Sequence, residues 1–200
     1  MSNKIVKNAA ILAAITLVAG ALLGVVQGVT EEPIAKAKED AKQEAYKQVL
    51  SEADKFEPYA DFDAEAAIKA VAEIEGTVID EVVTAKKGSE DAGYVITVTD
   101  KNGYGGNIQV SVGILPDKTV NGIAILSINE TAGLGMNAQK PEFYEQYAGK
   151  QTESFYVSKD GGDGEKIQAI SGATITSRAV TGAVNAALAY YETIGGSTNE

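Results

Sequence analysis

The sequence predicts an α+β fold in which a single N-terminal transmembrane helix precedes an antiparallel sheet flanked by helices. Three observations predict it: an apolar run at Ala9 to Val26, β-branched runs between Val78 and Asn129, and an Ala-rich segment at Ala179 to Tyr191. Strands that follow one another directly, without helices between them, favour antiparallel pairing. The 200 residues leave room for one ordinary domain and an appendage.

The composition excludes several kinds of site. The chain contains no Cys, His or Trp. Disulfides, thiolate-held iron–sulfur clusters, Cys/His zinc sites, His-ligated haem and His-dependent catalytic triads are therefore excluded for this chain alone. The formal net charge of −11 argues against a nucleic-acid partner, because such partners require clustered Lys and Arg. If the protein performs redox chemistry, the redox group must be an organic cofactor.

The apolar run predicts a membrane anchor over residues 1–30. Its length matches the roughly 20 residues that cross a bilayer core as a helix. Lys4 and Lys7 precede the run and two glutamates follow it. The positive-inside rule therefore predicts a cytoplasmic N-terminus in the plasma or inner membrane, with the later residues outside. A cleaved signal peptide is the alternative, but the run is long for one and no clear A-x-A cleavage site follows.

Gly20, Gly24 and Gly28 recur at every fourth residue of this anchor. Glycines at that spacing form a flat strip along which another helix can approach closely. The strip predicts that the anchor packs against a helix of a partner subunit. The alternative is that small residues are simply common in membrane helices.

Residues 31–60 predict a stalk helix that leaves the membrane. Pro33 fits a first helical turn, and Pro58 with Tyr59 fits the end of the segment. The charged residues of the stalk are expected to form a solvated face. A short second helix is predicted at Ala64 to Glu73, within a domain that covers residues 61–200.

The β-branched runs predict a meander of about four antiparallel strands. In the run from Tyr94 to Thr99, Val95, Thr97 and Thr99 share one face of the strand, and Tyr94, Ile96 and Val98 share the other. One face is expected to pack on helices and the other to meet water or ligand. The four runs are Val78 to Val83, Tyr94 to Thr99, Ile108 to Leu115 and Val120 to Ile128.

The segment Ile170 to Ala179 predicts an anion-binding helix start. Thr176 and Ser177 are typical N-cap residues of the Ala-rich helix, which is expected to end near Gly195 and Gly196. A helix N-terminus presents unpaired N–H groups and binds phosphate well. Thr174 would place a hydroxyl beside that site. An ordinary capped helix after a turn is the alternative.

A loop at Asn129 to Met136 places two glycines around one leucine, and such a loop can lie close against a planar ligand. A short helix is predicted at Pro141 to Tyr147, a loop at Gly161 to Gly164, and a last strand at Lys166 to Ile170. A sheet, a Gly-rich loop and a helix N-terminus together would form a cradle for a flat, phosphorylated ligand of the FMN type.

Three motifs resemble the FMN-binding domain family: Gly103 to Gly106 (GYGG), Glu130 to Gly135 (ETAGLG) and Ser171 to Ser177 (SGATITS). Within that family the chain is similar to RnfG of the Rnf electron-transport complex, and the similarity covers the whole chain in order. A near relative is the C subunit of the sodium-pumping NADH:quinone oxidoreductase, which is usually longer. Ala132 departs from the family, which often has Pro there.

The resemblance implies a flavoprotein whose FMN is joined covalently, through its phosphate, to the Thr174 hydroxyl. A separate Mg²⁺-dependent flavin transferase that uses FAD is expected to attach it. The resemblance implies neither a catalytic triad nor a metal site. The further residues expected to bind the cofactor are Ser171, Gly172, Ala173, Thr176, Ser177, Glu130, Thr131, Gly133, Leu134 and Gly135.

The implied function is an electron relay on the outer face of the membrane. The relay would belong to an ion-translocating complex that couples ferredoxin:NAD⁺ electron transfer to Na⁺ or H⁺ translocation, with the other Rnf subunits as partners. The alternatives are the C subunit of the sodium pump, a stand-alone extracytoplasmic FMN carrier or reductase domain, and an anchored binding module without a cofactor.

Overall fold

The structure, a computed structural model, describes residues 2–195. It divides into two compact units, one up to Lys42 and one from Gln43 onward. The helices are α1 (Ser2–Val49), α2 (Ala64–Ala70), α3 (Pro141–Tyr144) and α4 (Thr174–Gly195), with 3₁₀ turns at Gly135–Gln139 and Glu145–Tyr147. The strands are β1 (Lys55–Pro58), β2 (Thr77–Lys87), β3 (Glu90–Gly103), β4 (Gly106–Ile114), β5 (Thr119–Ser127), β6 (Lys150–Gln151), β7 (Phe155–Val157) and β8 (Glu165–Ile167).

The first unit is a single stretch of α1 that is long and apolar enough to cross a membrane. The predicted start of a new helix at Pro33 is wrong, because Pro33 lies inside α1. Proline has no N–H to donate within a helix, but α1 continues past it to Val49. The predicted end of the stalk at Pro58 is also wrong. Pro58 belongs to β1 at the edge of the sheet, where a missing N–H is tolerated.

The second unit is built on a six-stranded antiparallel sheet in the order β1-β2-β3-β4-β5-β6. Its four long strands, β2 to β5, confirm the predicted meander. Hydrogen bonds within the sheet extend to side chains: Thr97 and Ser111 face each other across β3 and β4, and their buried hydroxyls lie 2.9 Å apart. The predicted second helix is confirmed as α2, which Asp63 caps by accepting from the backbone N–H groups of Glu65 and Ala66.

One face of the sheet packs against α4. The even-numbered residues Ile96 and Val98 of β3 are buried with Val180 and Val184 of α4 in the larger hydrophobic core. Successive side chains of a strand point to opposite faces of the sheet, so every second residue of each central strand packs against α4. The predicted helix-packed face is therefore confirmed.

The other face of the sheet is also covered, and the prediction that it meets water or ligand is wrong. The last turn of α1 lies on it, and Tyr46 and Val49 pack with Val95 in a second core. Gly113 permits this contact, because a Cβ there would stand 2.7 Å from the Val49 carbonyl oxygen. That oxygen accepts a hydrogen bond of 2.6 Å from the Asn121 side chain, which satisfies a carbonyl at the helix end.

The final part of the chain positions the site. The predicted short helix near residue 141 is confirmed as α3 and the 3₁₀ turn after it. The predicted last strand is confirmed as β8, which pairs in parallel with β7, although it ends at Ile167. Residues 168–170 have no regular structure, and a turn closed by the hydrogen bond from the Ala173 N–H to the Ile170 carbonyl leads into α4. The predicted glycine stop of α4 includes Gly195, while Gly196 lies outside the described residues.

Candidate functional site

A cavity of about 610 Å³ opens at the start of α4, and we call it the α4 cavity. Three segments of the chain form its walls: the turn between β3 and β4, the loop after β5, and the first turn of α4. The residues that line it are Tyr104, Glu130, Thr131, Leu134, Gly135, Gly172, Ala173, Thr174, Ile175 and Thr176.

The start of α4 is fixed by a turn that the sequence only partly predicts. The helix begins at Thr174, so the prediction of Thr176 and Ser177 as N-cap residues is wrong, and both lie buried within the first turn. The Ser177 hydroxyl accepts from the backbone N–H of Ile170 at 3.0 Å and donates to the Ala173 carbonyl at 3.0 Å. The buried Ser177 hydroxyl therefore stabilises the turn before α4 through these two bonds, and it does not line the cavity.

Gly172 sets the direction of that turn. Its φ of +74° lies in the left-handed region, which only glycine adopts readily. A Cβ at this position would stand 3.1 Å from the Leu134 Cδ2 atom, so the turn and the loop after β5 are already in close contact. The tight turn leaves Thr174 half-buried at the cavity wall, on the first residue of the helix.

The loop after β5 is closed by its own backbone. The Thr131 carbonyl accepts from the N–H groups of Leu134 at 3.1 Å and Met136 at 3.2 Å. The Asn137 side chain donates to the Gly133 carbonyl at 2.8 Å. These bonds turn Leu134 outward, and its side chain is exposed at the cavity mouth.

Gly135 joins the loop to α4. A Cβ on this glycine would stand 2.6 Å from Thr176 Oγ1 and 2.7 Å from both Cβ and Oε2 of Glu130. Glu130 in turn accepts a hydrogen bond of 3.3 Å from the backbone N–H of Gly105, in the turn between β3 and β4. The three walls of the cavity are thus linked through Glu130 and Gly135.

The cavity combines an apolar mouth with a site for an anion. Tyr104, Leu134 and Ile175 are exposed at the mouth and offer apolar surface to a ligand. The N-terminus of α4 carries unpaired N–H groups and a partial positive charge. Among the lining residues the sole formal charge is that of Glu130, in the loop after β5.

Arg178 is the single arginine of the sequence and stands one helical turn after Thr174. Its guanidinium engages both carboxylate oxygens of Asp160: Nε donates to Oδ2 at 2.8 Å, and Nη2 contacts Oδ1. The hydrogen bonds from Arg178 hold the pKa of Asp160 below its usual range. The pair ties α4 to the loop that precedes β8.

The structure brings together most of the residues predicted from the sequence. Three of them do not line the α4 cavity: Ser171, Gly133 and Ser177. Sequence reasoning missed two lining residues, Tyr104 and Ile175. Tyr104 could have been found, since it stands in the GYGG motif between two glycines. Ile175 follows the predicted threonine directly. The residues that were predicted and line the cavity are Thr174, Gly172, Ala173, Thr176, Glu130, Thr131, Leu134 and Gly135.

The cavity fits a flavin mononucleotide in chemistry and size. Its volume falls within the range of about 300–1,000 Å³ that is usual for small-molecule sites. Its glycines at positions 135 and 172 leave room that a side chain would fill. The apolar mouth suits an aromatic ring system, and the helix N-terminus suits a phosphate.

Two protein-family profiles match the chain. The FMN-binding domain matches residues 103–189, which include every lining residue of the α4 cavity. The RnfG N-terminal region matches residues 1–49, which include the whole of α1.

Two relatives are similar along almost the whole chain, and a third is similar over 56% of it. The G subunit of the Na⁺-translocating ferredoxin:NAD⁺ oxidoreductase complex of Acetobacterium woodii is 33% identical, over 92% of this chain and 90% of the relative. The G subunit of the ion-translocating oxidoreductase complex of Methanosarcina acetivorans is 32% identical, over 94% and 95%. The proton-translocating counterpart of Clostridium ljungdahlii is 43% identical over 112 residues, and this match spans 60% of that relative.

Two solved structures share the fold. NqrC of Shewanella oneidensis superimposes with a TM-score of 0.56 at 18% identity, over 81% of this chain and 98% of that one. The C subunit of the Na⁺-translocating NADH-quinone reductase of Parabacteroides distasonis gives a TM-score of 0.61 at 22% identity, over 84% and 98%.

Proposed function

The chain belongs to the RnfG family of ion-translocating oxidoreductase complexes, and from this premise we propose that it relays electrons through FMN as a membrane-anchored component of an Rnf-type complex. The complex couples ferredoxin:NAD⁺ electron transfer to the translocation of Na⁺ or H⁺. The observation that carries the proposal is the position of Thr174. It stands on the first residue of α4, in the wall of a cavity whose lining residues all fall within the FMN-binding domain match.

When bound, FMN supplies one- and two-electron redox chemistry that no side chain of this protein offers. The protein's own residues position the cofactor. Leu134 and Ile175 supply apolar contact at the cavity mouth, and the Glu130 and Thr131 side chains line the wall on the loop side. Gly135 keeps the loop close to α4, so that the cavity stays narrow.

Thr174 is proposed to hold FMN covalently. In the attachment step a bond would form between its Oγ1 and the phosphorus of the FMN moiety of FAD, the pyrophosphate bond would break, and AMP would leave. The hydroxyl proton passes to a base of the flavin transferase that catalyses the step. The phosphodiester keeps one negative charge beside the N-terminus of α4, a placement worth about 0.3–1 kcal/mol.

The neighbouring hydroxyls are less suited to this role. Thr176 is only 1% exposed and its Oγ1 faces Gly135. The hydroxyl of Ser177 is buried and already engaged in two hydrogen bonds. Ser171 is exposed but does not line the cavity. Thr174 alone among these four combines partial exposure with a place in the cavity wall.

The proposed location follows from the anchor. Lys4 and Lys7 favour a cytoplasmic N-terminus, which puts the FMN-binding domain on the extracytoplasmic side of the plasma or inner membrane. A flavin released there would be lost by dilution, and covalent attachment prevents that loss. The partners are the other subunits of the complex and, during maturation, the flavin transferase.

The test is substitution at Thr174 in a cell that contains the flavin transferase. Thr174→Ala is expected to give a folded, membrane-bound protein whose denatured gel band has lost its yellow-green fluorescence under ultraviolet light. Thr176→Ala is the matched control and is expected to keep the fluorescence. A fluorescent Thr174→Ala band would assign the linkage to another residue. A parent protein without flavin in this cell would overturn the proposed function itself.

A further inference from the structure

A second concave surface lies between α2 and the start of β2, and we call it the α2 groove. It has a volume of about 370 Å³ and shares no lining residue with the α4 cavity. Most of its lining is apolar and includes Phe62, Ala67, Ile68, Val71, Ile74 and Val78.

The groove exposes large apolar side chains. Ile68 is 70% exposed, Val78 39% and Phe62 37%. Ala67 and Val71, which also line the groove, are buried in the larger hydrophobic core. The core-facing side of α2 is therefore packed without Ile68. Single exposed apolar residues are ordinary, but three that converge on one concave surface mark a contact site.

Negative charge surrounds this groove. Six exposed carboxylates lie between residues 58 and 80, against one lysine, Lys69. Glu75 lines the groove itself, and each of the other five is a direct chain neighbour of a lining residue. The other five are Asp61, Asp63, Glu65, Glu73 and Asp80.

These carboxylates differ from acidic residues elsewhere on the domain. Within residues 2–195, no lysine or arginine forms an ion pair with any of the six, whereas Glu52, Asp160 and Glu165 each pair with a basic side chain. Asp63 and Asp80 accept hydrogen bonds from neutral groups, which leave their charge uncompensated. An uncompensated acidic rim favours contact with a cationic surface.

We propose that the α2 groove docks a segment of a neighbouring subunit that places an apolar side chain against Ile68 and Val78 and surrounds it with Lys or Arg. That the partner belongs to the same complex rests on the proposed function. A second copy of this chain is disfavoured, because it brings the same acidic rim and a net charge of −11. An anionic membrane surface is disfavoured for the same electrostatic reason.

The test is site-specific photo-crosslinking in the purified complex, with a photoreactive phenylalanine analogue at position 68. The control carries the same probe at Glu153, whose side chain is 83% exposed and which lines none of the described cavities. Position 68 is expected to crosslink to one other protein of the complex, at a segment rich in Lys and Arg, and position 153 is expected not to reach that segment.

The crosslinking yield also tests the apolar and the electrostatic parts of the proposed contact separately. With the probe at Val78 instead, Ile68→Asp is expected to lower the yield by about tenfold, the effect of losing a central apolar contact. Glu73→Lys combined with Glu75→Lys should also lower it, and high salt should reduce the yield of the parent protein. Covalent flavin in each variant reports that the domain has folded.

The outcomes separate the two proposals. A parent that carries flavin and co-purifies with other subunits, but crosslinks at position 68 to none of them, overturns the docking inference alone. Crosslinks to a second copy of this chain or to lipid overturn it equally. A parent that co-purifies with no other subunit overturns both the docking inference and the proposed function.

Discussion

Gly135 and Thr176 are in direct contact in the wall of the α4 cavity: a Cβ on the glycine would stand 2.6 Å from the threonine Oγ1. Thr176 is buried in the first turn of α4 and cannot move aside without disturbing the helix. The loop after β5 can therefore reach α4 only where residue 135 has no side chain. This contact fixes how narrow the cavity is beside Thr174.

Gly135→Ala is expected to push the loop away from α4 and to lower the free energy of unfolding by about 1–3 kcal/mol, the usual cost of overpacking. The proposed attachment of flavin at Thr174 should fall with it, because the cavity walls move apart. The free energy can be measured by urea unfolding of the detergent-solubilised protein, and the attachment by gel fluorescence.

Gly122→Ala provides the control for this change. Its new Cβ would meet nothing closer than the Val49 Cα at 3.9 Å, an ordinary contact distance. Equal losses of stability in the two variants would show that the approach of Gly135 to Thr176 is not what holds the loop.

Asp100 is a buried carboxylate, and its burial raises its pKa above the usual range. It lies in β3 beneath Gly182 of α4, and its Oδ1 accepts from the backbone N–H of Asn102 at 2.7 Å. A raised pKa in the folded state means that the ionised carboxylate destabilises the fold. This penalty is present above the folded-state pKa and is lost as the pH falls toward the unfolded-state pKa.

Asp100→Asn keeps an acceptor for the Asn102 N–H but cannot ionise. The variant is therefore expected to be more stable than the parent at neutral pH, and the difference should shrink at mildly acidic pH. Chemical unfolding of both proteins at a series of pH values measures it. A difference that does not change with pH would mean that the ionisation of Asp100 has no effect on stability.

Asp117→Asn should change the free energy of unfolding in the opposite direction to Asp100→Asn. Hydrogen bonds from Thr119 lower the pKa of Asp117, so its ionised form stabilises the fold at neutral pH and this contribution is lost in acid. The Asn variant is expected to be less stable than the parent at neutral pH and to approach it as the pH falls. The same pH series of unfolding measurements tests this, and a variant as stable as the parent at neutral pH would contradict it.

The sequence patterns predicted where the strands and helices lie, but they did not predict how those elements pack against one another. The four long strands could be predicted because β-branched runs separated by turn residues depend on neighbouring residues alone. The cover on the second face of the sheet could not. It depends on the last turn of α1 around Val49, more than 40 residues before its partner Val95 in the chain.

The candidate site shows the same limit. Thr174, Leu134 and Gly135 could be predicted because each stands in a short motif with a recognisable composition. The role of Ser177 could not, because its buried hydroxyl bonds Ile170 on the far side of the turn, a contact that an N-cap pattern does not reveal. Tyr104 could have been found from the GYGG motif, but the motif does not show that the fold of the sheet brings the β3–β4 turn beside the loop after β5.

The orientation of the anchor is open to a direct test. Protease added to cells stripped of wall or outer membrane is expected to cut the FMN-binding domain, while the residues around Lys4 and Lys7 stay protected. Antibodies against tags at the two ends can follow both fragments. A domain that resists protease until the membrane is lysed would reverse the orientation.

The last prediction concerns the glycine strip of α1. Apart from the adjoining residues and the backbone of α1 itself, no atom of the described residues lies within 4 Å of where a Cβ would stand on Gly20, Gly24 or Gly28, so this chain leaves the strip open. Close approach of two helices depends on such small residues, and we expect the strip to face a helix of another membrane protein of the complex. Gly24→Ile keeps the segment apolar, so insertion should survive. The added side chain should hold the helices apart and weaken recovery of the other subunits, while flavin attachment in the domain stays unchanged.

Ala19→Ile is the matched control, because Ala19 lies about 140° around the helix from Gly24 and gains similar apolar bulk on the opposite face. Each variant would be purified by pull-down from its native membrane, and both the recovery of the other subunits and ferredoxin-driven NAD⁺ reduction would be compared with the parent. Full recovery of both in Gly24→Ile would mean that the strip faces lipid. Contacts of the later residues, such as those proposed for the α2 groove, would then hold the protein in the complex.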